Sequence, residues 1–482
     1  MNYSVVIYIL GWIMEIEAAF LTLPGIVSAI YGERGGFAFL WVALGSAVAG
    51  SAIILRKPKN MRFYLREGFV TVALSWILMS VIGCLPFVIN GDIPHFADAL
   101  FEMISGFTTT GATVVSDVEG LTKGSLFWRS FSHWIGGMGV LVFLLAIVPM
   151  AGGSHMNLMK AESPGPSVGK LVPKVRQTAK YLYIIYFALT MIEVIFLLFG
   201  GMNLFEALTT SFGTAGTGGF AIWNDGFVSV SPYNQWVVTI FMLLFGVNFG
   251  FYFLILTGKL REALKFEEVR IYFIIVIAAA VFIFINLRHF ALYAPAEGIR
   301  QAFFQVASII TTTGFASADF NLWPETSRTI LVLLMFIGAC AGSTGGGIKV
   351  SRFIIACKSF IKEIISYLHP RSVKKIKIEG KPLEHETLRA TNVYFMTYMV
   401  IFAVSVLLVS IENKDLVTNF AAVAATFNNI GPGLSLVGPM ANFGHFTDFT
   451  KYILMFDMLA GRLEIFPMML LFCPAVWKRR RA

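Results

Sequence analysis

Threonine beside glycine is the pairing in this chain with the clearest chemistry, and it recurs at four places. The copies read Thr108-Thr109-Thr110-Gly111, Ala215-Gly216-Thr217-Gly218, Thr311-Thr312-Thr313-Gly314 and Asn428-Asn429-Ile430-Gly431. They lie roughly 100 residues apart, which marks a large internal repeat. Glycine reaches backbone dihedrals that other residues avoid, so each copy can hold an extended loop with its carbonyl oxygens turned inward. Rings of backbone carbonyls replace the water shell of an alkali cation without burying a net charge. A neighbouring threonine adds a hydroxyl that braces the loop or coordinates the ion. The candidate ligands of a potassium-sized ion are Thr109, Thr110 and Gly111; Gly216, Thr217 and Gly218; Thr312, Thr313 and Gly314; and Asn429, Ile430 and Gly431. The four copies contain no Asp or Glu, which argues against a carboxylate ring for divalent ions. Small-residue contacts between packed helices would explain any one copy; four at matching positions favour an ion path. The fourth copy departs most, with Ile430 where others carry threonine and Pro432 after its glycine, yet it still reads as a turn.

Loops of this kind need a scaffold, and the composition says which. Of the 482 residues, 57% are hydrophobic and 13% charged, against about 25% charged in soluble domains. The chain is therefore an all-α polytopic membrane protein. A crossing helix needs about 20 apolar residues; the pattern predicts ten of these, plus four shorter re-entrant stretches that each lead into one of the copies. Non-helical backbone at membrane depth is tolerated only where protein buries it or it lines a wet cavity. Two leading helices are predicted at 3–31 and 36–55. Four units follow, each an outer helix, a pore helix, a filter-like loop and an inner helix, set with pseudo-fourfold symmetry around a central pore. As segments these are 1–60 for the two leading helices, 61–155, 175–260, 266–368 and 388–482 for the repeats, and 369–387 for a cytoplasmic loop. The inner helices are expected at 125–150, 233–258, 326–366 and 450–476.

The formal net charge of +9 is unevenly placed. Most Lys and Arg fall in 56–66, 160–180, 259–270, 352–390 and 478–481. The positive-inside rule puts these in the cytoplasm, with both termini inside and the filter-like loops outside. Short basic loops beside apolar helices disfavour nucleic acid as a partner. Lys374, Lys375, Lys377 and Lys381 could meet anionic lipid or an acidic partner, or simply face water. Cys84, Cys340, Cys357 and Cys473 show no metal-type spacing and read as reduced packing residues. The N-terminus has no basic region or cleavage site and reads as a retained first helix.

The third inner helix is interrupted by Gly342-Ser-Thr-Gly-Gly-Gly347, a run that unwinds a helix. A phosphate-loop reading with Lys349 fails, because Ile348 separates the glycine from the lysine and no strand precedes. Arg462 and Glu464 lie inside the last apolar helix, where a charge normally faces a cavity or a partner; Asp457 and Lys349 are the candidate partners. His133 and Trp134, beside Gly136-Gly137-Met138-Gly139, fit helix packing better than ligand binding. Glu15, Glu17 and Glu193 also lie in apolar helices, either paired or marking a proton route.

The chain resembles the TrkH/TrkG branch of the Trk/Ktr/HKT potassium transporters. The resemblance is carried by Phe107-Thr-Thr-Thr-Gly-Ala-Thr113, Trp134-Ile-Gly-Gly-Met-Gly139, Thr217-Gly-Gly-Phe220, Thr313-Gly-Phe315, Cys340-Ala-Gly-Ser-Thr-Gly-Gly-Gly347, Asn428-Asn-Ile-Gly-Pro-Gly433 and Gly461-Arg-Leu-Glu-Ile-Phe466. It implies filter loops centred on Gly111, Gly218, Gly314 and Gly431, and potassium as the transported ion in the inner membrane, with sodium as a second permeant ion. It also implies a gate of Gly345, Gly346, Gly347, Lys349 and Arg462 beneath the filter, and a homodimer with one pore per subunit. A cytoplasmic TrkA-type nucleotide-binding ring would regulate it, with no nucleotide bound by this chain. Against the channel-like reading stands a carrier coupling potassium to protons or sodium, which would need essential intramembrane carboxylates. An enzyme is disfavoured, since no nucleophile–base pair or metal-ligand cluster is evident.

Overall fold

A computed structural model describes residues 1–59, 64–147, 175–370 and 375–477. The basic segments at 56–66, 160–180, 352–390 and 478–481 fall partly or wholly outside these, as do Lys374 and the expected end of the first inner helix at 150.

The described chain is almost entirely helical. The leading helices, Tyr3–Ile30 and Gly36–Ile54, form an antiparallel hairpin. Small residues let their backbones approach: a Cβ on Gly50 would lie 2.9 Å from the carbonyl oxygen of Gly11, and one on Gly11 2.8 Å from Ile53, the close packing that replaces hydrophobic burial in lipid. The hairpin also supports the first repeat. Glu33, just past the first helix, accepts from the backbone N–H of Lys123 (2.7 Å) and Gly124 (3.2 Å). A carboxylate there satisfies the free donors of a helix N-terminus.

Four units follow. Their outer helices are Leu65–Asn90, Val175–Phe199, Glu267–His289 and His385–Val409. Their pore helices are Phe96–Phe107, Leu204–Gly216, Pro295–Ile310 and Leu416–Phe427. At 12 to 16 residues these are too short to cross a bilayer. Their starts are fixed locally. Asn203 and Glu206 form a reciprocal capping box, Pro295 opens the third, and Asp415 accepts from Thr418 N at 2.7 Å, each supplying a partner or removing a donor at the helix start. Ile274, Ile277, Phe282 and Ile285 on the third outer helix remain exposed, the face a lipid tail would cover.

The inner helices depart from the sequence expectation. The first, Lys123–Ile147, is continuous. The second breaks into Pro232–Phe245 and Phe249–Leu256 with an 88° bend, and Asn248 caps the second piece through Gly250 N at 2.7 Å. The third stops at Ile337 and resumes at Val350, a wider gap than the glycine run alone. The fourth ends at Arg462 and resumes at Phe466, with Glu464 and Ile465 both at positive φ. Six helices among the described residues are individually long and apolar enough to span, or seven counting the bent pair. The expected ten included inner helices that these breaks divide.

The 369–387 loop carries a short hairpin among its described residues. Lys377–Ile378 pairs antiparallel with Lys381–Pro382, and Lys358 ties this hairpin down by donating to Lys377 O at 2.7 Å while pairing with Glu267 at 2.6 Å. All four cysteines are free.

Candidate functional site

Each pore helix ends in the same capping motif. The N–H groups of Thr110, Gly218, Thr313 and Ile430 donate to the carbonyls of Ser105, Gly213, Ser308 and Ala425, at 2.8–2.9 Å. The residues just before, Thr109, Thr217, Thr312 and Asn429, have φ of 54–60° and donate three residues back at 3.0–3.1 Å. This is the Schellman arrangement, which normally places glycine at the left-handed position. Here three of the four are β-branched threonines, a conformation that costs about 1–3 kcal/mol and that surrounding structure must enforce. Two residues after each comes a glycine at positive φ: Gly111, Gly219, Gly314 and Gly431, at 76–96°. In repeat 2 the turn therefore falls one residue later than the sequence alignment puts it. Thr217, Gly218 and Gly219 correspond to Thr109, Thr110 and Gly111, and Gly216 corresponds to Thr108.

The four loops meet in cyclic order. A Cβ on Gly111 would overlap the carbonyl oxygen of Gly218, one on Gly219 that of Thr313, and one on Gly314 that of Ile430. One on Gly431 would lie 2.8 Å from the carbonyl oxygen of Thr110, which closes the ring. Only glycine combines this dihedral with this approach. The four glycines line one cavity of about 130 Å³. The rim is also tied from repeat to repeat: Val118 N to Asn224 Oδ1 (2.7 Å), Phe227 N to Ala316 O (2.8 Å), Ser435 N to Asn321 Oδ1 (3.0 Å) and Phe443 N to Thr113 O (2.8 Å).

Behind the ring, repeats 1 and 3 are alike. Thr108 and Thr110 share a hydroxyl hydrogen bond of 2.8 Å, as do Thr311 and Thr313. Asn429 donates to Thr110 Oγ1 and to Met458 O, both at 2.9 Å, which joins repeat 4 to repeat 1. A buried ion pair backs the first loop: Arg129 lies 2.8 Å from Glu102, and Glu102 also accepts from Thr113 Oγ1 and Val114 N.

Below the ring lies the interrupted third inner helix. Gly346 N donates to Thr312 Oγ1 at 2.6 Å, so the glycine loop is bonded to the underside of the filter-like turn. A Cβ on Gly345 would lie 2.9 Å from Thr311 O, and one on Gly346 2.6 Å from Asn428 O. Gly347 takes a positive φ of 74° against Gly338. Lys349 is buried and donates to Gly345 O. Arg462 donates to Thr344 O (2.8 Å) and Gly136 O (2.6 Å), spanning from the loop to the first inner helix. The five gate candidates are thus gathered directly beneath the ring. Of the partners considered for Arg462, Asp457 accepts from Ser405 at 2.7 Å on the outer helix of its own repeat, and Lys349 carries a like charge.

Several anchoring residues escaped the sequence reading. Glu268 Oε1 accepts from Ala341 N (2.7 Å) and Ser351 N (3.0 Å), clamping both ends of the loop. Arg352 pairs with Glu464 and stacks 3.8 Å from the Tyr394 ring centroid. Glu268 stands in the charged first turn of an outer helix, where its sequence context is that of an ordinary acidic N-terminus. Pro467, two residues past the break in the fourth inner helix, was the available signal for that break. Of the intramembrane carboxylates, Glu15 accepts from Ser51 at 2.6 Å, the buried carboxyl of Glu17 has no hydrogen-bond partner among the described residues, and that of Glu193 lies beside the Thr214 hydroxyl.

A family model described as TrkH, cation transport protein, matches residues 37–479. The chain is 36% identical to the Trk system potassium uptake protein TrkH of Escherichia coli (strain K12), over 99% of this chain and 100% of that protein. It is 31% identical to TrkG of the same organism, over 99% of each. Among solved structures, the crystal structure of the potassium transporter TrkH from Vibrio parahaemolyticus superposes with a TM-score of 0.89 at 32% identity, covering 99% of this chain and 100% of that one.

Proposed function

We propose, from the premise that this chain belongs to the TrkH family of cation transport proteins, that it takes up potassium across the inner membrane through the pore its four loops enclose. The observation that carries this reading is the closed cycle of glycine-to-carbonyl approaches, 111 to 218, 219 to 313, 314 to 430 and 431 to 110. Four strands held that way offer main-chain oxygens to a monovalent ion and no carboxylate to a divalent one. The ligands are Thr109, Thr110 and Gly111, Thr217 with Gly218 and Gly219, Thr312, Thr313 and Gly314, and Asn429, Ile430 and Gly431. Arg462 and Lys349 set a positive barrier in the same path, and the glycine loop blocks it until displaced. Tyr3 stacks on Trp477 and donates to its carbonyl, so the two ends of the described chain share one face; the basic segments make that face cytoplasmic. A homodimer with one pore per subunit and a TrkA-type nucleotide-binding ring complete the system, and anionic lipid meets the lysines of the 369–387 loop.

The test is cation flux into reconstituted vesicles across potassium, rubidium, sodium and lithium, for wild type and Gly314→Ser. Wild type should favour potassium and rubidium, and the variant should lose that preference. Equal wild-type flux for all four ions would overturn the filter.

The buried carboxyls of Glu17 and Glu193 favour a second reading, transport coupled to protons. Glu17→Gln and Glu193→Gln decide between the two. The channel-like reading expects potassium flux within about twofold of wild type, and loss of uptake that tracks an imposed pH gradient would establish coupling instead.

A further inference from the structure

Repeat 2 builds its filter strand without the side chains its counterparts use. Where repeats 1 and 3 carry the paired hydroxyls of Thr108 and Thr110 or Thr311 and Thr313, repeat 2 carries Gly216 and Gly218. The space behind them is filled from another repeat. His133, on the first inner helix, is fully buried. A Cβ on Gly218 would overlap its imidazole ring, and one on Gly216 would overlap its backbone carbonyl. Nδ1 lies 2.8 Å from Gly106 O, in the last turn of the first pore helix, and Nε2 lies 3.2 Å from Phe220 N, in the second filter strand. A backbone N–H is a donor and a carbonyl an acceptor, so these bonds require the neutral ring with its proton on Nδ1. The ring also packs 4.2 Å from the Phe220 ring, against which Arg129, one turn earlier, lies at 4.2 Å as well.

We propose that His133 is a positioning residue for ion choice: its imidazole replaces, in repeat 2, the threonine hydroxyls that hold the filter strand in repeats 1 and 3. The claim rests on the filter reading above. It makes the spacing of the second strand's carbonyls depend on a side chain of the neighbouring repeat.

The experiment measures the potassium-over-sodium flux ratio in vesicles, with thermal stability followed in parallel. His133→Ala should lower the ratio by about tenfold, equivalent to about 1.4 kcal/mol, by releasing Phe220 N. Gln places its amide near the Nε2 position and Asn near Nδ1. His133→Gln should therefore keep more of the ratio than His133→Asn. Gly218 is not at positive φ, so it accepts a side chain once the ring is gone, and the double variant His133→Ala/Gly218→Thr should recover the ratio by installing the chemistry of Thr110. An unchanged ratio in His133→Ala overturns the proposal. If that variant does not fold, equal ratios for the Gln and Asn variants overturn it, and a higher ratio for Gln supports it. Gly314→Ser, run alongside, separates the two claims. If it loses preference while His133→Ala keeps it, only the His133 role falls; if wild type shows no preference, the filter itself falls.

Discussion

Arg462 shows what a single side chain can hold. Its guanidinium joins Thr344 O of the glycine loop to Gly136 O of the first inner helix, so it bridges elements that the proposed gate must separate. Hydrogen bonds from a charged donor contribute about 1.5–3 kcal/mol each. Removing them should free the loop and also remove a positive charge from a cation's route. Arg462→Ala should raise basal flux by tenfold or more in a transport-deficient cell; unchanged uptake would remove Arg462 from the gate. The neighbouring pair of Arg352 and Glu464 does different work. It fastens the helix after the glycine loop to the break in the fourth inner helix, whereas Arg462 and Lys349 donate to the loop itself.

At the scale of elements, the glycine loop and the filter turn form one mechanical unit through Gly346 N and Thr312 Oγ1. Gly346→Ala introduces a methyl 2.6 Å from Asn428 O and 3.0 Å from Asn429 Cβ. The backbone there has little room to yield, so the loop should move away from the ring. Higher basal flux is the expected outcome, read by vesicle uptake; lower flux would mean that the loop supports the proposed filter instead of closing it. Much of this architecture was legible beforehand. Apolar length marked the outer helices, and Thr-Gly repetition marked the turns. The register of repeat 2 was not, because Thr217-Gly218-Gly219 offers two glycines and only the dihedral at Gly219 decides between them. Nor was the break after Phe245 legible. It depends on tertiary partners for the freed backbone groups, Gly246 O accepting from Cys340 N and Phe245 O accepting from Thr344 Oγ1, and periodicity carries no trace of those, whereas the break after Arg462 left a sign in Pro467. Glu268 was missed for the same reason, since its two backbone donors lie 73 and 83 residues away.

For the whole molecule, the outer rim joins repeat 1 to 2, 2 to 3, 3 to 4 and 4 back to 1. The first link is also electrostatic. The Asn224 amide beside Asp117 holds its carboxyl below the usual range. A lowered folded value stabilises at pH above the ordinary Asp value of about 3.9, and the contribution fades as pH falls through the lowered value. Asn224→Ala should therefore lower the melting temperature slightly at neutral pH, and the gap to wild type should narrow below about pH 4. A constant gap would assign the whole effect to the Val118 contact. One polypeptide supplies all four walls, and the walls are not copies: two carry threonine hydroxyl pairs, one borrows a histidine, and one presents Ile430. In an assembly of identical subunits, a change to one wall is imposed on all four. Here heredity can adjust a single quadrant and leave the other three intact, so the ion preference proposed for the ring can drift in small steps.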